Sequence, residues 1–351
     1  MKIAITGVAG LIGSWLSRHA LDLGDSVVGF DDLSSGYQSN IDNRVKFIQT
    51  NVASAANSTL SKDLFGCDIV YHAAATAYEG LSVFSPTTIT NNIITGTTNL
   101  ITAAVNARVG MFVNMSSMAR YGHGDGKSFF KETDDCHPVD PYGMAKYFAE
   151  QQMQMIASLH GIKCITVVPH SVNGPGQKYD DPYRNVVSIM ANLMLQGRQP
   201  FIYGTGEQKR GFCDVRDVVP MIYQLGLLRS EMSDHDNSEV YNVGFDRPED
   251  FVSINELARL VAAEVGFSDL RPIYMPGRPA EVKIANCSSD KIRAYFRGNI
   301  ERNITLHESV HDIVESIKAT GVKPFSYKHI GVEIENSKKL NCPVTWKNKM
   351  F

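Results

Sequence analysis

Lys2 to Thr6 read as a strand and run without interruption into Gly7-Val8-Ala9-Gly10-Leu11-Ile12-Gly13, after which Ile12 to Leu23 carries the apolar spacing of a helix. That order constrains the chain more than any other feature. A strand that turns through three glycines straight into a helix leaves backbone N–H groups free at the helix start, where they and the helix dipole favour an anion. Glycine lets the backbone approach a pyrophosphate closely, so Gly7, Gly10, Leu11, Ile12 and Gly13 are the positions expected to face one. A second strand, Ser26 to Phe30, then ends in Asp31-Asp32, where an acid can accept hydrogen bonds from a ribose diol. A carboxylate at Asp31 would repel a 2′-phosphate, which favours NAD over NADP. The plain alternative, a glycine-rich turn followed by solvated aspartates, gives no reason for the order strand, turn, helix, strand, acid.

The first half repeats this unit. Val45 to Gln49, Ile69 to His72, Met111 to Met115 and Cys164 to Val168 are further candidate strands, with helical spacing over Thr90 to Asn106 and Ala145 to Leu159. Alternating strands and helices imply an α/β fold: a Rossmann-type, doubly wound parallel sheet. After Pro169 the character changes to Gly/Pro-rich turns (Asn173-Gly174-Pro175-Gly176, Tyr203-Gly204-Thr205-Gly206) around a helical segment near Val186 to Gln196. We therefore expect an NAD-binding domain over 1–168 and a smaller α/β substrate-binding domain mainly over 169–351, with segments of the two interleaved. Phe251 to Glu264 looks helical, with Ser253 as N-cap and Glu256 completing a capping box. Glu231 to Ser238 reads as a solvated acidic loop.

Composition sets the surroundings. With 351 residues the chain can bury a substantial core, and a net charge of −3 offers no basic face to nucleic acid. No apolar run of about eighteen residues suggests a membrane span, and no signal peptide precedes the first strand. The six cysteines are scattered without a C-x-x-C pair, so a reducing cytoplasm is expected rather than a disulfide framework or a zinc site.

Tyr142-Gly143-Met144-Ala145-Lys146 places Tyr and Lys at i and i+4, on one face of a helix. A nearby ammonium favours phenolate and would lower the tyrosine pKa, making it a usable general base. Such a pair is common on solvated helices, but here Ser116-Ser117 and Tyr121-Gly122 follow the strand Met111 to Met115. Together with the glycine loop and Asp31, the set resembles the extended short-chain dehydrogenase/reductases, the NAD-dependent epimerase/dehydratase group, over nearly the whole chain.

The resemblance implies that Ser117 hydrogen-bonds the sugar hydroxyl being oxidised, that Tyr142 is the base, and that Lys146 binds the nicotinamide ribose. It implies a nucleotide-diphosphate sugar as substrate and a homodimer formed through two helices per subunit. Members that dehydrate or decarboxylate carry Asp or Glu two or three residues before the Tyr-Gly pair, where this chain has Met118 and Ala119. Neither can transfer a proton, which favours epimerisation at C4 through a transient keto-sugar and bound NADH. A dehydrogenase or ketoreductase, a 4,6-dehydratase, and a non-catalytic NAD-binding protein are the alternatives.

Asn173-Gly174-Pro175-Gly176-Gln177 is similar to the family's Tyr-Gly-Pro-Gly-Gln stretch. Arg210 sits where a phosphate-binding arginine is usual, and Arg278 with Glu281 resembles its Arg-x-Gly-Asp/Glu segment. A guanidinium can bind two phosphate oxygens at once, although either arginine could instead be held in a surface carboxylate pair. Ser171 and Asn185 are further substrate positions by resemblance, and Asn51, where an Asp is usual, could hydrogen-bond adenine. Ala73 lets the backbone lie close to the cofactor. Glu79 and Tyr78, in the loop leaving that strand, could touch the sugar or serve only the loop. His170 falls near the expected nicotinamide, with a hydrogen-bonded structural histidine as the stronger reading.

Two motifs compete. His307-Glu308-Ser309-Val310-His311 matches the zinc-peptidase pattern H-E-x-x-H, but Thr305 and Glu308 also make a capping box, and Leu306, Val310, Ile313, Val314 and Ile317 an apolar stripe. No metal is expected. Gly122 to Ser128 hints at a phosphate loop, but the spacing would need glycine at Tyr121, so a substrate-side loop fits better.

Overall fold

The computed structural model describes residues 1–123, 129–230, 232, 238–300 and 302–351. Most of the Gly122–Ser128 segment and of the Glu231–Ser238 loop lies outside the described residues. In the first half, β1 (Lys2–Thr6), β2 (Ser26–Asp31), β3 (Lys46–Gln49), β4 (Ile69–His72), β5 (Met111–Met115) and β6 (Lys163–Pro169) alternate with α1 (Leu11–Asp22), α2 (Asn57–Asp63), α3 (Glu79–Ser82), α4 (Pro86–Asn106) and α5 (Pro141–His160). β4 and β5 are buried at every residue, as expected of parallel strands covered on both faces by helices.

The remainder adds β7 (Ser171–Asn173), α6 (Val186–Leu195), β8 (Phe201–Tyr203), β9 (Lys209–Asp214), α7 (Val215–Gly226), β10 (Ser238–Val243), β11 (Phe251–Ser253), α8 (Ile254–Val265), β12 (Ile273–Met275), β13 (Ile284–Ala285), α9 (Asp290–Tyr295), α10 (Leu306–Thr320) and α11 (Val344–Lys347). Among the described residues the main sheet has seven parallel strands in the order β10-β6-β5-β4-β1-β2-β3. From β1 the chain winds outward through β2 and β3, then returns to lay β4 on the other side of β1. The loops after β1 and β4 therefore diverge and open a crevice at the carboxyl ends of the strands.

The chain crosses back into the first region after residue 168. β10 pairs with β6, and Val218 and Ile222 of α7 share one core with Ile3 of β1 and Leu16 of α1. The second region has its own core, in which Val187 and Met190 of α6, Leu257 and Val261 of α8, and Val310 and Val314 of α10 pack together. Phe251 to Ser253 depart from the helix expected of them. They form β11, antiparallel to β9, and the helix starts at Ile254 behind Ser253, which makes the capping box with Glu256.

The C-terminal tail is docked. Glu333 accepts hydrogen bonds from the backbone N–H groups of Thr87 and Thr88 at 2.9 and 2.8 Å, satisfying donors in the first turn of α4. Trp346 is buried against Phe84 and Tyr183. No helix among the described residues is long and apolar enough to cross a membrane.

Candidate active site

One cavity follows the carboxyl ends of β1, β2 and β4, and its lining includes every cofactor position named from sequence: Gly7, Gly10, Leu11, Ile12, Gly13, Asp31, Asn51, Ala73, Tyr142, Lys146 and His170. Backbone geometry shapes it. Gly7 has φ of 71°, and a Cβ there would lie 2.8 Å from the Ala74 nitrogen; a Cβ on Gly13 would lie 2.1 Å from the Gly7 oxygen. The loop packs so tightly that only its N–H edge is left for a ligand. Asp31 is fixed at the wall by the N–H groups of Ala9 (3.0 Å) and Leu33 (2.7 Å), and burial raises its pKa. These features fit a dinucleotide with a free ribose diol.

One cofactor position differs in detail from expectation. Asn51 already donates to Asp32 at 2.8 Å and accepts from the Ala53 N–H at 2.8 Å, so only its second N–H and lone pair remain for adenine. His170 is fully buried at the cavity wall, where burial pushes its pKa down to about 4 against a hydrogen bond with the Phe245 backbone. The ring is therefore neutral near pH 7.

The candidate catalytic strip leaves β5 and meets the start of α5. Asp140 caps that helix by accepting from the Gly143 N–H at 2.9 Å, and Pro141 occupies the first turn. A Cβ on Gly143 would come within 2.5 Å of the Ala119 oxygen, so the helix start rests on the strip, and Tyr142 sits against Ser117. Beneath it, Glu150 accepts from Ser116 at 3.1 Å and pairs at 2.9 Å with Arg120, whose guanidinium lies between the rings of Tyr121 and Tyr147.

The expected depression of the Tyr142 pKa by Lys146 is not present in the protein by itself. Burial pushes Tyr142 up to about 12, while a hydrogen bond from Ser117 works the other way, and the cation acting on it is Arg184. Lys146 donates to the Met115 carbonyl at 2.8 Å, and burial lowers its pKa to about 8. In a dry cavity desolvation outweighs a cation directed elsewhere.

A second cavity adjoins the first, sharing Ala77, Ser171, Val172, Gln177, Arg184 and Asn185. Of the substrate positions named from sequence, Glu79, Ser171, Asn185, Arg210 and Arg278 line this second cavity, while Ser117 lines the first. Arg278 forms a two-point pair with Glu281 at 3.0 and 2.8 Å and stacks 5.1 Å from the Tyr203 ring; Arg210 approaches the same carboxylate at 3.5 Å. The carboxylate pair and the cavity wall are thus one feature: Glu281 holds both guanidinium groups where an anion could meet them. Asn185 has φ of 67° and is committed to Gln177 (3.1 Å) and the Lys178 carbonyl (3.2 Å).

Sequence reasoning missed several lining residues. Asp140 had a readable signal, an acid directly before the Pro-Tyr that opens a helix. Arg184, which bridges the cavities and donates to the Ser35 carbonyl at 2.9 Å, and Trp346, with an unpartnered buried indole nitrogen, had none. The H-E-x-x-H segment opens α10, with neither of its histidines in the lining of either cavity. Glu308 is held in the capping box with Thr305, and His307 and His311 pair with Glu264 at 2.9 and 2.8 Å.

A Rossmann sheet whose glycine turn, ribose-facing acid and Ser-Tyr-Lys set line one crevice, with a second lobe completing the pocket, defines an extended short-chain dehydrogenase/reductase. The model of the NAD dependent epimerase/dehydratase family matches residues 3–244, and the chain belongs to that family. It is 29% identical over 323 residues to a UDP-glucose 4-epimerase of Mycolicibacterium smegmatis, covering 90% of this chain and 98% of that one. The crystal structure of the Thermotoga maritima UDP-glucose 4-epimerase with UDP-glucose superposes with a TM-score of 0.80 at 30% identity, over 91% of this chain and 99% of the other. A dTDP-glucose 4,6-dehydratase of Escherichia coli is 25% identical over 359 residues, covering 91% and 96%.

Proposed function

We propose that this protein is an NAD-dependent epimerase that inverts C4 of a nucleotide-diphosphate sugar. The observation that carries the reading is the meeting of two cavities: Ser117, Tyr142 and Lys146 line the one shaped for a dinucleotide, and it opens beside the one walled by Arg210 and Arg278. Similarity to 4-epimerases supports the carbon chosen.

When bound, the nicotinamide supplies a hydride acceptor that can return the hydride. Gly7 to Gly13 would hold the pyrophosphate, Asp31 the adenosine ribose and Lys146 the nicotinamide ribose. Ser117 orients the sugar hydroxyl, and Tyr142 receives its proton and later gives it back. A phenol held near 12 by burial needs added positive charge nearby to ionise, which the nicotinamide ring of a bound cofactor would supply although the dinucleotide as a whole is an anion. Arg210 and Arg278 bind the diphosphate, leaving the sugar free to turn between hydride transfers.

The exposed apolar stripe Met144, Phe148, Met155 and Leu159 along α5 supports a homodimer through the α4–α5 face, which light scattering would test. Six unpaired cysteines agree with a reducing, cytoplasmic setting.

The decisive experiment incubates the protein and NAD with UDP-glucose, UDP-galactose, UDP-N-acetylglucosamine and dTDP-glucose and separates the products. A new isomer of unchanged mass supports the reading; loss of water or net NADH release overturns it. Tyr142→Phe should cut turnover by roughly 10²–10⁴-fold while cofactor affinity holds.

A further inference from the structure

A pyrophosphate held at the glycine turn brings a charge on each phosphate into a cavity whose wall already carries Asp31 and Asp32. The free N–H groups at the start of α1 offset only about half a unit charge. The cavity therefore calls for a cation, and among the described residues its lining offers Lys146, Lys178 and Arg184. Lys146 donates to the Met115 carbonyl at 2.8 Å, and Lys178 pairs with Asp180 at 3.0 Å.

Arg184 is placed differently, because its guanidinium is fixed by groups from both sides of β1. Nη2 donates to the carbonyl of Ser35, after β2, at 2.9 Å, and the guanidinium lies 5.0 Å from the ring of Tyr78, after β4. β1 runs between β2 and β4, so a side chain that touches both loops lies across the carboxyl end of β1, where the glycine turn begins. The Ser35 anchor is itself set against that turn. A Cβ on Gly36 would lie 2.5 Å from the Ala9 carbonyl carbon, and the Tyr37 N–H donates to the Ala9 oxygen at 3.1 Å. On its other side the Arg184 Nε is 3.5 Å from Asp181, a buried carboxylate held by the Tyr78 hydroxyl at 2.6 Å and the Tyr183 N–H at 2.9 Å. Nη1 has no hydrogen-bond or ion-pair partner among the described residues, and the side chain keeps 20% of its surface where the two cavities meet. Its charge is felt by both Asp31 and Tyr142, the positions proposed for the adenosine ribose and the sugar hydroxyl, and so acts on the stretch between them.

We propose that Arg184 binds the pyrophosphate of the nicotinamide dinucleotide, facing the glycine turn across the crevice. The inference rests on the NAD part of the reading above and is independent of which sugar carbon is inverted. The N–H groups of the turn and the guanidinium then take oxygens on two sides of one group, and a planar fork can hold two of them at once. Arg184 reaches over from the second region, two residues before α6, so the region that receives the sugar also holds the dinucleotide in place.

The test measures binding to the whole chain of NAD and ADP-ribose by calorimetric titration and of adenosine by NMR titration, with UDP titrated in parallel. Arg184→Met should weaken NAD and ADP-ribose alike, by roughly 10–100-fold, and leave adenosine unchanged, because adenosine has no phosphate for the guanidinium to hold. Arg184→Lys, which restores the charge but not the fork, should recover part of the loss. Equal loss of adenosine affinity would show that Arg184 acts only by holding the Ser35 loop, and would overturn the proposal. Loss of UDP affinity with NAD affinity intact would assign the guanidinium to the substrate and overturn it as well. A wild-type protein that binds neither NAD nor ADP-ribose would overturn the NAD reading and this inference with it.

Discussion

The two cavities share a wall but are assembled differently. The cavity proposed for the dinucleotide is built largely by backbone: Gly7 to Gly13 turn after β1, Asp31 ends β2, and Ala73 and Ala74 follow β4, each a few residues from a strand end. The cavity proposed for the substrate is built by large side chains brought from Glu79, Arg184, Tyr203, Arg278 and Trp346, joined by pairs such as Arg278 with Glu281 and Tyr203 with Thr345. A backbone-built site tolerates little change at a few positions. A side-chain-built site can alter its ligand one residue at a time while the fold stays fixed.

This contrast can be broken most severely at Gly13. A Cβ there meets the Gly7 oxygen at 2.1 Å, so Gly13→Ala should abolish NAD binding in a calorimetric titration while circular dichroism shows the fold intact. Unchanged affinity would mean that the backbone does not define this cavity.

Acid should come next in effect, and it should act on the dinucleotide region. His72, between the Thr6 and Thr97 hydroxyls, and His170 are buried with pKa values lowered by burial to about 3 and about 4. Both are neutral when folded, whereas in the unfolded chain they gain a proton near pH 6.5. The unfolded state therefore binds more protons below that pH, and stability present at pH 7 is lost as pH falls from about 6.5 toward 4. The loss between pH 6.5 and 5 is at most about 4 kcal/mol for the pair, read from urea midpoints. A flat profile would show that these rings are not in a dry environment.

Arg278→Ala should weaken UDP binding by roughly 10–100-fold, the worth of a charge-assisted hydrogen bond, and leave NAD affinity untouched. Equal loss for both ligands would mean that the two sites are not separable. Replacing His307 and His311 by alanine should have the smallest effect, with turnover and zinc content unchanged, because their imidazoles pair with Glu264 at the surface of α10.

The boundaries of β1, β4 and β5 and both capping boxes were legible in the sequence because each is fixed by neighbours a few residues away. Phe251 to Ser253 were misread because helical spacing is local, whereas strand pairing with β9 depends on residues about forty positions earlier. Similarly, Y-x-x-x-K identified Tyr142 and Lys146 but implied a direct lysine effect that the folded protein does not show by itself, since Lys146 turns to the Met115 carbonyl.

The sequence by itself determined the doubly wound sheet and the glycine turn after β1, and it singled out the proposed set Ser117, Tyr142 and Lys146, because strand and helix periodicity, glycine geometry and i,i+4 spacing are short-range properties of a chain. Only the tertiary structure decided that α7 and β10 return to the first sheet, that Trp346 lines the second cavity, and that Arg184 lies at the wall of both. Those outcomes depend on burial and on contacts between residues far apart in sequence, and both exist only once the chain is packed.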